Sequence, residues 1–318
     1  MQKEKHLDPP FPALTPAQRW HIEVNGYVVI ENLFSPERTG LMLESLQSLK
    51  SQFMAQEDPW NTTIGNCGIF GKQLLGQHVH FHHLLEVNSE FFKYATDSRI
   101  VGMAEEVVGK VVRVVETEAA INRRDPGDKY DGALRHNWHR ARPEAITYYD
   151  KGLLHCEFVK AITNLTDLGP DDGGTCVIAG SHKSSCPEED IVKAAREDPS
   201  LIHRFIAPAG STLIFCETLL HATGDLRSDR ERAIIITGYK PRSSRPNIGI
   251  PFGPDFEDRV PESHKVLIFG TDTTRVRRRN LGMAVGSADP GEYYDGWSLN
   301  SEDPDAYEVA ELTKSRTV

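Results

Sequence analysis

The chain has 318 residues, 39% hydrophobic and 26% charged, with a formal net charge of -10. That acidic balance argues against a nucleic-acid surface, because phosphate affinity rests on concentrated Lys and Arg. No apolar run approaches the roughly 20 residues of a membrane span, and the polar, proline-rich start MQKEKHLDPPFPALTP lacks the apolar core of a secretion signal, so the cytoplasm is the expected location.

Residues 1–15 read as an extended arm. Helices are expected over Thr15–Asn25 and Pro36–Phe53. Ser35 is an N-cap candidate for the second, and Arg38 stands where a capping box would place an acid. Between them GYVVI, Gly26–Ile30, is β-like, residues 54–83 are loop-like, and Phe91–Val108 reads as one helix ending at Gly109. From Val111 onward short Val, Ile and Leu runs alternate with Gly, Pro and Asp punctuation, which points to a sandwich or barrel. Helices first and strands later predict a jelly roll flanked by helices on one face. No repeat or low-complexity linker divides the chain, so 1–318 is expected to be a single domain. Its core would cover about 14–242, with a polar extension over 243–318 wrapped around it. Cys67, Cys156, Cys176, Cys186 and Cys216 show no CxxC spacing and read as reduced thiols.

The chemistry concentrates in GSTLIFCETLLHATGDLRSDRERAIIITGYKPR, Gly210–Arg242. A β-like run at Thr212–Phe215 precedes His221. A polar turn at Gly224–Asp229 then leads into a second run at Ala233–Tyr239. The turn brings His221 close to Arg232, eleven residues on. A lone strand histidine is more often structural. Beside an arginine, whose planar fork suits a carboxylate, it becomes a candidate half-site. An Fe(II) enzyme that chelates 2-oxoglutarate needs both, an imidazole for iron and a cation for the far carboxylate. Thr223 offers a hydroxyl at the same mouth, and Arg227 and Arg230 lie in the turn, where solvation is their plainer role. In Ile121–Pro143 a strand, a Pro126-Gly127 turn and two histidines, His136 and His139, are available as ligands or as ordinary loop residues. Asp171-Asp172-Gly173-Gly174 is a tight turn in which glycines supply positive φ; His182 after it is given no metal role. The stretch HVHFHH, with His78, His80, His82 and His83, lacks an acid or cysteine to complete a set and reads as surface or lid.

Four segments in order, LTPAQ…NGYVVIENLFS, IN…PG…WH, NLTDLGPDDGGTCVIAGSHK and GSTLIF…HAT…R, resemble the phytanoyl-CoA dioxygenase family of Fe(II)/2-oxoglutarate oxygenases. The likeness runs from about Leu14 to about Arg242. It implies a double-stranded β-helix with iron between two sheets, and Fe(II) and 2-oxoglutarate as cofactor and co-substrate. It also implies His139 and His221 as iron ligands, Arg232 as the co-substrate arginine, and Thr223 and Asn122 as further contacts to 2-oxoglutarate.

The chain departs from that pattern at one place. The family carries an acid two residues after the proximal histidine, whereas here the tripeptide is His139-Arg140-Ala141. Three explanations stay open. Glu157 supplies the carboxylate from the next strand, where His155 and Glu157 share a face, although a surface-facing pair is the plainer reading. Alternatively His155-Cys156-Glu157 is itself the motif, which leaves too little chain before Leu165. Otherwise no carboxylate binds and a halide fills the position, as in halogenating relatives of the superfamily. The expected function is hydroxylation of a small molecule with O2, releasing succinate and CO2. A halogenase and a jelly-roll binding protein without catalysis are the alternatives. Arg140 and Arg142 beside the mouth hint at an anionic substrate.

Overall fold

The computed structural model describes residues 13–70, 78–124, 137–141, 146–150, 152–244, 252–253 and 255–270. Helix α1 (Pro16–Asn25) opens with a complete capping box, in which Thr15 accepts from the Gln18 amide and Gln18 reaches back to Thr15. It ends at Gly26, whose φ of 85° favours glycine and where a Cβ would strike the His182 ring. Strand β1 (Tyr27–Ile30) follows, then α2 (Pro36–Met54), with Ser35 accepting from the Arg38 amide as its cap.

The region read as loop contains two strands, β2 (Gly68–Phe70) and β3 (His78–His82). The predicted single helix over Phe91–Val108 is two, α3 (Ser89–Ala95) and α4 (Ser98–Val108). The break lies at Thr96-Asp97, where Asp97 caps α4 through the Arg99 amide and holds the guanidinium groups of Arg38 and Arg99. An aspartate that satisfies a helix start cannot also sit comfortably inside a helix.

The strands then run β4 (Val112–Asn122), β5 (Thr147–Asp150), β6 (Leu153–Cys156), β7 (Val159–Asn164) and β8 (Cys176–Ile178). Helix α5 (Glu188–Glu197) precedes β9 (Ile202–Arg204), β10 (Thr212–Cys216), β11 (His221–Ala222) and β12 (Arg232–Pro241). Seven strands form one antiparallel sheet in the order β1-β10-β7-β12-β4-β3-β2, and β11-β8-β9 form a second. β5 and β6 make a separate hairpin. This is the jelly-roll arrangement of a double-stranded β-helix.

Alternation along the strands decides what each face meets. Ala119, Ile121, Ala161, Ile214, Ala233 and Ile235 face outward into the core built with α3 and α4. Their neighbours Ala120, Ile162, Leu213, Phe215, Ile234 and Ile236 face inward and pack on Val177, Phe205 and Ala207. Burial of these apolar side chains closes the two sheets on each other, at roughly 25 cal/mol per Å² of apolar area. Gly174 is required here, since a Cβ would collide with the Phe205 carbonyl. Beyond β12, α6 (Phe256–Arg259) and α7 (Lys265–Phe269) pack on the core, with Val266, Leu267, Ile268 and Phe269 buried. Residues 245–251, 254 and 271–318 of the expected wrapping extension lie outside the described residues. Among the described residues no helix is long and apolar enough to cross a membrane. All five cysteines are free.

Candidate metal and co-substrate site

His221 lies on β11, the shortest strand of the second sheet, and is 5% exposed. His139 forms an antiparallel bridge with it, each backbone amide donating to the other's carbonyl at 3.0 Å. The bridge is fixed from both sides. Trp138 packs into the apolar cluster of Ile178, Val192, Ala195 and Leu220. Arg140 donates to Glu188 at 3.2 Å and to the Ser181 carbonyl at 3.1 Å. That arginine is thereby engaged at the start of α5 rather than offered to an anionic substrate. Arg142, His136 and the Pro126-Gly127 turn lie outside the described residues.

The two imidazoles are 4.2 Å apart, centroid to centroid, and Phe215 meets the His221 ring edge-on at 4.9 Å. Each Nδ1 is tied to the carbonyl two residues earlier, His221 to Leu219 at 2.8 Å and His139 to Asn137 at 2.9 Å. A carbonyl only accepts, so each Nδ1 donates to it and each ring turns its Nε2 away from that bond, the orientation a metal ligand needs. Burial drives the His221 pKa well below its ordinary value, and His139 and Lys160 push the same way, so His221 is neutral.

The acid beside this pair is Glu217, at the end of β10. Its Oε2 is 3.8 Å from His221 Nε2 and has no hydrogen-bond partner, although the side chain is only 5% exposed. Its Oε1 pairs with Lys160 Nζ at 3.2 Å, and Lys160 also pairs with Glu116 at 2.8 Å. Burial lifts the Glu217 carboxyl above its usual range, with Lys160 opposing the rise. Burial also works against the Lys160 charge, but Glu217, Glu116 and Glu118 more than offset it and its pKa is raised. Among the described residues no three His, Cys, Asp or Glu side chains are closed into a metal-binding set. The two histidines and Glu217 converge without closing.

Glu157 and His155 lie elsewhere. The strand expected over residues 153–165 is broken between β6 and β7. At that break the Glu157 amide donates to the Ile146 carbonyl, and its carboxylate acts on Tyr148. Among the described residues no hydrogen bond or ion pair joins Glu157 to His139 or His221. His155 is buried against the end of α4, with Nδ1 3.2 Å from the Val107 carbonyl. The acid that the geometry brings to the histidines is Glu217 in place of Glu157. Its signal in the sequence is an acid within the apolar run IFCETLLH, four residues before His221, a place where a carboxylate is costly unless partnered.

Arg232 begins β12 and is 2% exposed. Its register partner on β4 is Asn122, and beyond that His78 on β3. With the Asn122 amide oriented to satisfy its neighbours, its oxygen accepts from Arg232 Nη1 at 3.0 Å and its nitrogen donates to His78 Nδ1. Arg232 Nη2 donates to Thr175 Oγ1 at 3.2 Å, while Nε has no partner. Burial pulls the Arg232 pKa down to about 10. Among the described residues no carboxylate pairs with it. Thr223 is exposed just past β11, so the hydroxyl on this guanidinium is that of Thr175, across the sheet. Arg230 and Arg227, the other cations of the turn, pair with Asp172 and with Asp171 and Asp225.

The histidine-rich stretch is half-buried, on the face of β3 opposite the core. In β3, Val79 and Phe81 are buried in the outer core, and His78, His80 and His82 take the opposite face. His80 Nε2 meets Glu118 at 3.0 Å, and burial together with His83 pulls His82 down to about 4. The alternation HVHFH carries this assignment in the sequence, because a period of two fits a strand with two different faces.

The family model described as phytanoyl-CoA dioxygenase (PhyH) matches residues 22–234. Among solved structures, HygX from Streptomyces hygroscopicus with nickel and 2-oxoglutarate bound is 19% identical, covering 73% of this chain and 89% of that one at a TM-score of 0.56. EctD from S. alaskensis with bound Fe is 17% identical, covering 74% and 80% at 0.56. The non-heme alpha ketoglutarate dependent carbocyclase SnoK from nogalamycin biosynthesis is 16% identical, covering 79% and 94% at 0.53. No curated protein matches by sequence. The structural likeness is one of fold, and the matched segment spans both histidines and Arg232. The chain belongs to the phytanoyl-CoA dioxygenase family.

Proposed function

We infer that this protein is an Fe(II)- and 2-oxoglutarate-dependent oxygenase that hydroxylates a small molecule. The observation that carries the reading is Arg232, a buried guanidinium without an acid, on the inward face of the sheet, together with the buried His221, whose ring the exposed His139 meets at 4.2 Å. A buried cation with no counter-charge is costly, and a carboxylate-bearing ligand removes that cost. The donor set also fits iron. Imidazole nitrogens with a nearby carboxylate are the ligand types of non-heme Fe(II) oxygenases.

His139 and His221 would hold Fe(II) through Nε2. When bound, Fe(II) and O2 supply the oxidative chemistry, in which 2-oxoglutarate gives succinate and CO2 as one oxygen atom enters a substrate C–H bond. The protein's own part is positioning. Arg232 takes the distal carboxylate of 2-oxoglutarate, Asn122 and Thr175 hold the guanidinium, and His78 holds Asn122. Phe215, Ile234 and Ile236 line the interior and exclude water. Lys160, Glu116 and Glu118 lie further along the same inward face, where a substrate would sit. Free cysteines support a reducing, cytoplasmic setting. The described core supports a single catalytic domain.

Anaerobic addition of Fe(II) and 2-oxoglutarate to the full chain tests the assignment. The expected result is the visible charge-transfer absorption of the iron chelate, lost on adding a competing carboxylate co-substrate analogue. Folded protein that binds iron yet shows no such band overturns it. Slow succinate release without added substrate separates an oxygenase from a protein that only binds.

A further inference from the structure

We propose that Glu217 supplies the carboxylate of the metal site, in place of the acid absent at Ala141. The inference rests on the oxygenase reading above and assigns a residue within it.

Three acids face the interior near the histidines, and two are already committed. Glu118 turns to His80 and Glu116 to Lys160. Glu217 divides its two oxygens. Oε1 is held by Lys160, while Oε2 is buried, without a hydrogen bond, and directed at His221 Nε2. A buried carboxylate oxygen left without a donor keeps its full desolvation penalty, and a metal ion relieves that cost.

The backbone puts the acid where the family's acid stands. The family carries it two residues after the proximal histidine, which here is Ala141. The Ala141 amide donates to the Glu217 carbonyl at 2.9 Å, so residues 141 and 217 lie side by side across the mouth. The Ala141 methyl packs toward Val115 and Phe158 and presents no ligand. Glu217 thus reaches the same iron face from the neighbouring segment. Its longer side chain makes up for its different starting point.

Lys160 completes the arrangement. Ligating carboxylates are ordinarily held by an outer hydrogen-bond partner that fixes their orientation, and Lys160 does this through Oε1. Two neutral imidazoles and one carboxylate preserve the charge of the usual two-histidine, one-carboxylate set. With ligand bonds of about 2.0–2.2 Å, adjacent donor atoms stand roughly 3 Å apart, so Oε2 needs to move toward His221 by less than the length of one bond.

The test measures Co(II) binding to metal-free, full-length protein, by titration and by the visible ligand-field spectrum, with no turnover involved. Glu217→Gln keeps the shape and removes the charge. It is expected to weaken Co(II) binding by at least the roughly 10- to 100-fold that loss of an outer-shell partner alone costs and to change the spectrum. Glu217→Asp, which keeps the charge, is expected to fall between the two and serves if the Gln variant does not fold. Glu157→Gln is expected to match wild type. Wild-type Co(II) affinity and spectrum in a folded Glu217→Gln protein overturn the proposal. So does chloride that tightens 2-oxoglutarate binding in the wild type, because a halide would then occupy the place assigned to Glu217. A wild-type protein that binds neither Co(II) nor 2-oxoglutarate overturns the oxygenase reading itself.

Discussion

At the Arg232 end of the site every polar partner is neutral. Asn122 and Thr175 hold the guanidinium, His78 holds Asn122, and the charge itself is left without an acid. At the histidine end the charges are dense and mutually engaged, with Glu217, Lys160 and Glu116 linked in a chain that reaches His221. One end holds a buried cation with no acid beside it. The other holds a buried carboxylate oxygen, Glu217 Oε2, with no hydrogen-bond donor. A site that binds a dianionic co-substrate at one end and a metal at the other needs both kinds of incompleteness, and each is expressed by the backbone elements that carry it. Arg232 sits in the regular register of β12 against β4. Glu217 and His139 sit where strands end and single bridges take over.

The comparison breaks most visibly at Arg232. Arg232→Met removes the cation and keeps much of the volume. Loss of a partner from a buried charge-assisted pair costs about 2–5 kcal/mol. 2-Oxoglutarate affinity is therefore expected to fall by about 30-fold to several thousandfold, with Co(II) affinity unchanged. The same substitution removes an uncompensated buried charge, so the ligand-free variant is expected to melt no lower than wild type. In wild type, 2-oxoglutarate at about 100 times its Kd is expected to add about 2.7 kcal/mol of stability, and in the variant at the same concentration less than about 1 kcal/mol. Calorimetric titration and thermal melts with and without ligand read both. A variant that loses metal and co-substrate together would show that the two ends are not separate devices.

The difference between the two ends also explains what could be read from the sequence. The Arg232 end follows from regular strands. Period-two runs and a polar turn place His221 and Arg232 near each other, and Asn122 falls opposite Arg232 once β4 and β12 pair. The histidine end depends on contacts between segments far apart in sequence. Residue 141 meets residue 217, and residue 139 meets residue 221, through isolated backbone bonds that no local pattern announces. Alternation along an expected strand over 153–165 favours the acid Glu157, whereas in the structure that run is broken between β6 and β7 at Glu157 itself. The β3 histidines were legible in principle from HVHFH, but their partner Glu118 is 38 residues away from His80 along the chain.

A subtler perturbation supplies Arg232 with the acid it lacks. Asn122 already contacts Nη1 at 3.0 Å, so Asn122→Asp places a carboxylate on the guanidinium with little change of shape. The buried pair this creates is expected to occupy the co-substrate's place and lower 2-oxoglutarate affinity by roughly a hundredfold, each factor of ten being about 1.4 kcal/mol. Asn122→Ala, which removes a contact without adding charge, is expected to lose only about tenfold. Equal effects from the two would mean that Asn122 acts by positioning alone and that the missing counter-charge at Arg232 has no functional weight.

The smallest effect decides between two hydroxyls. The family resemblance makes Thr223, two residues past His221 on the same segment, a contact to the 2-oxoglutarate carboxylate that Arg232 would hold. The structure puts Thr175 on Arg232, its Oγ1 3.2 Å from Nη2, while Thr223 is exposed. A hydrogen bond to a charged group contributes about 1.5–3 kcal/mol, but Arg232 keeps Asn122 when Thr175 is changed, so the loss is expected near the lower limit. Thr175→Val should raise the 2-oxoglutarate Kd by roughly tenfold, since 1.4 kcal/mol is a factor of ten. Thr223→Val should leave it within twofold. The reverse order, with Thr223 the sensitive position, would mean that the segment after β11 turns inward when the co-substrate binds, so that the Arg232 end, like the histidine end, is completed only by its ligand.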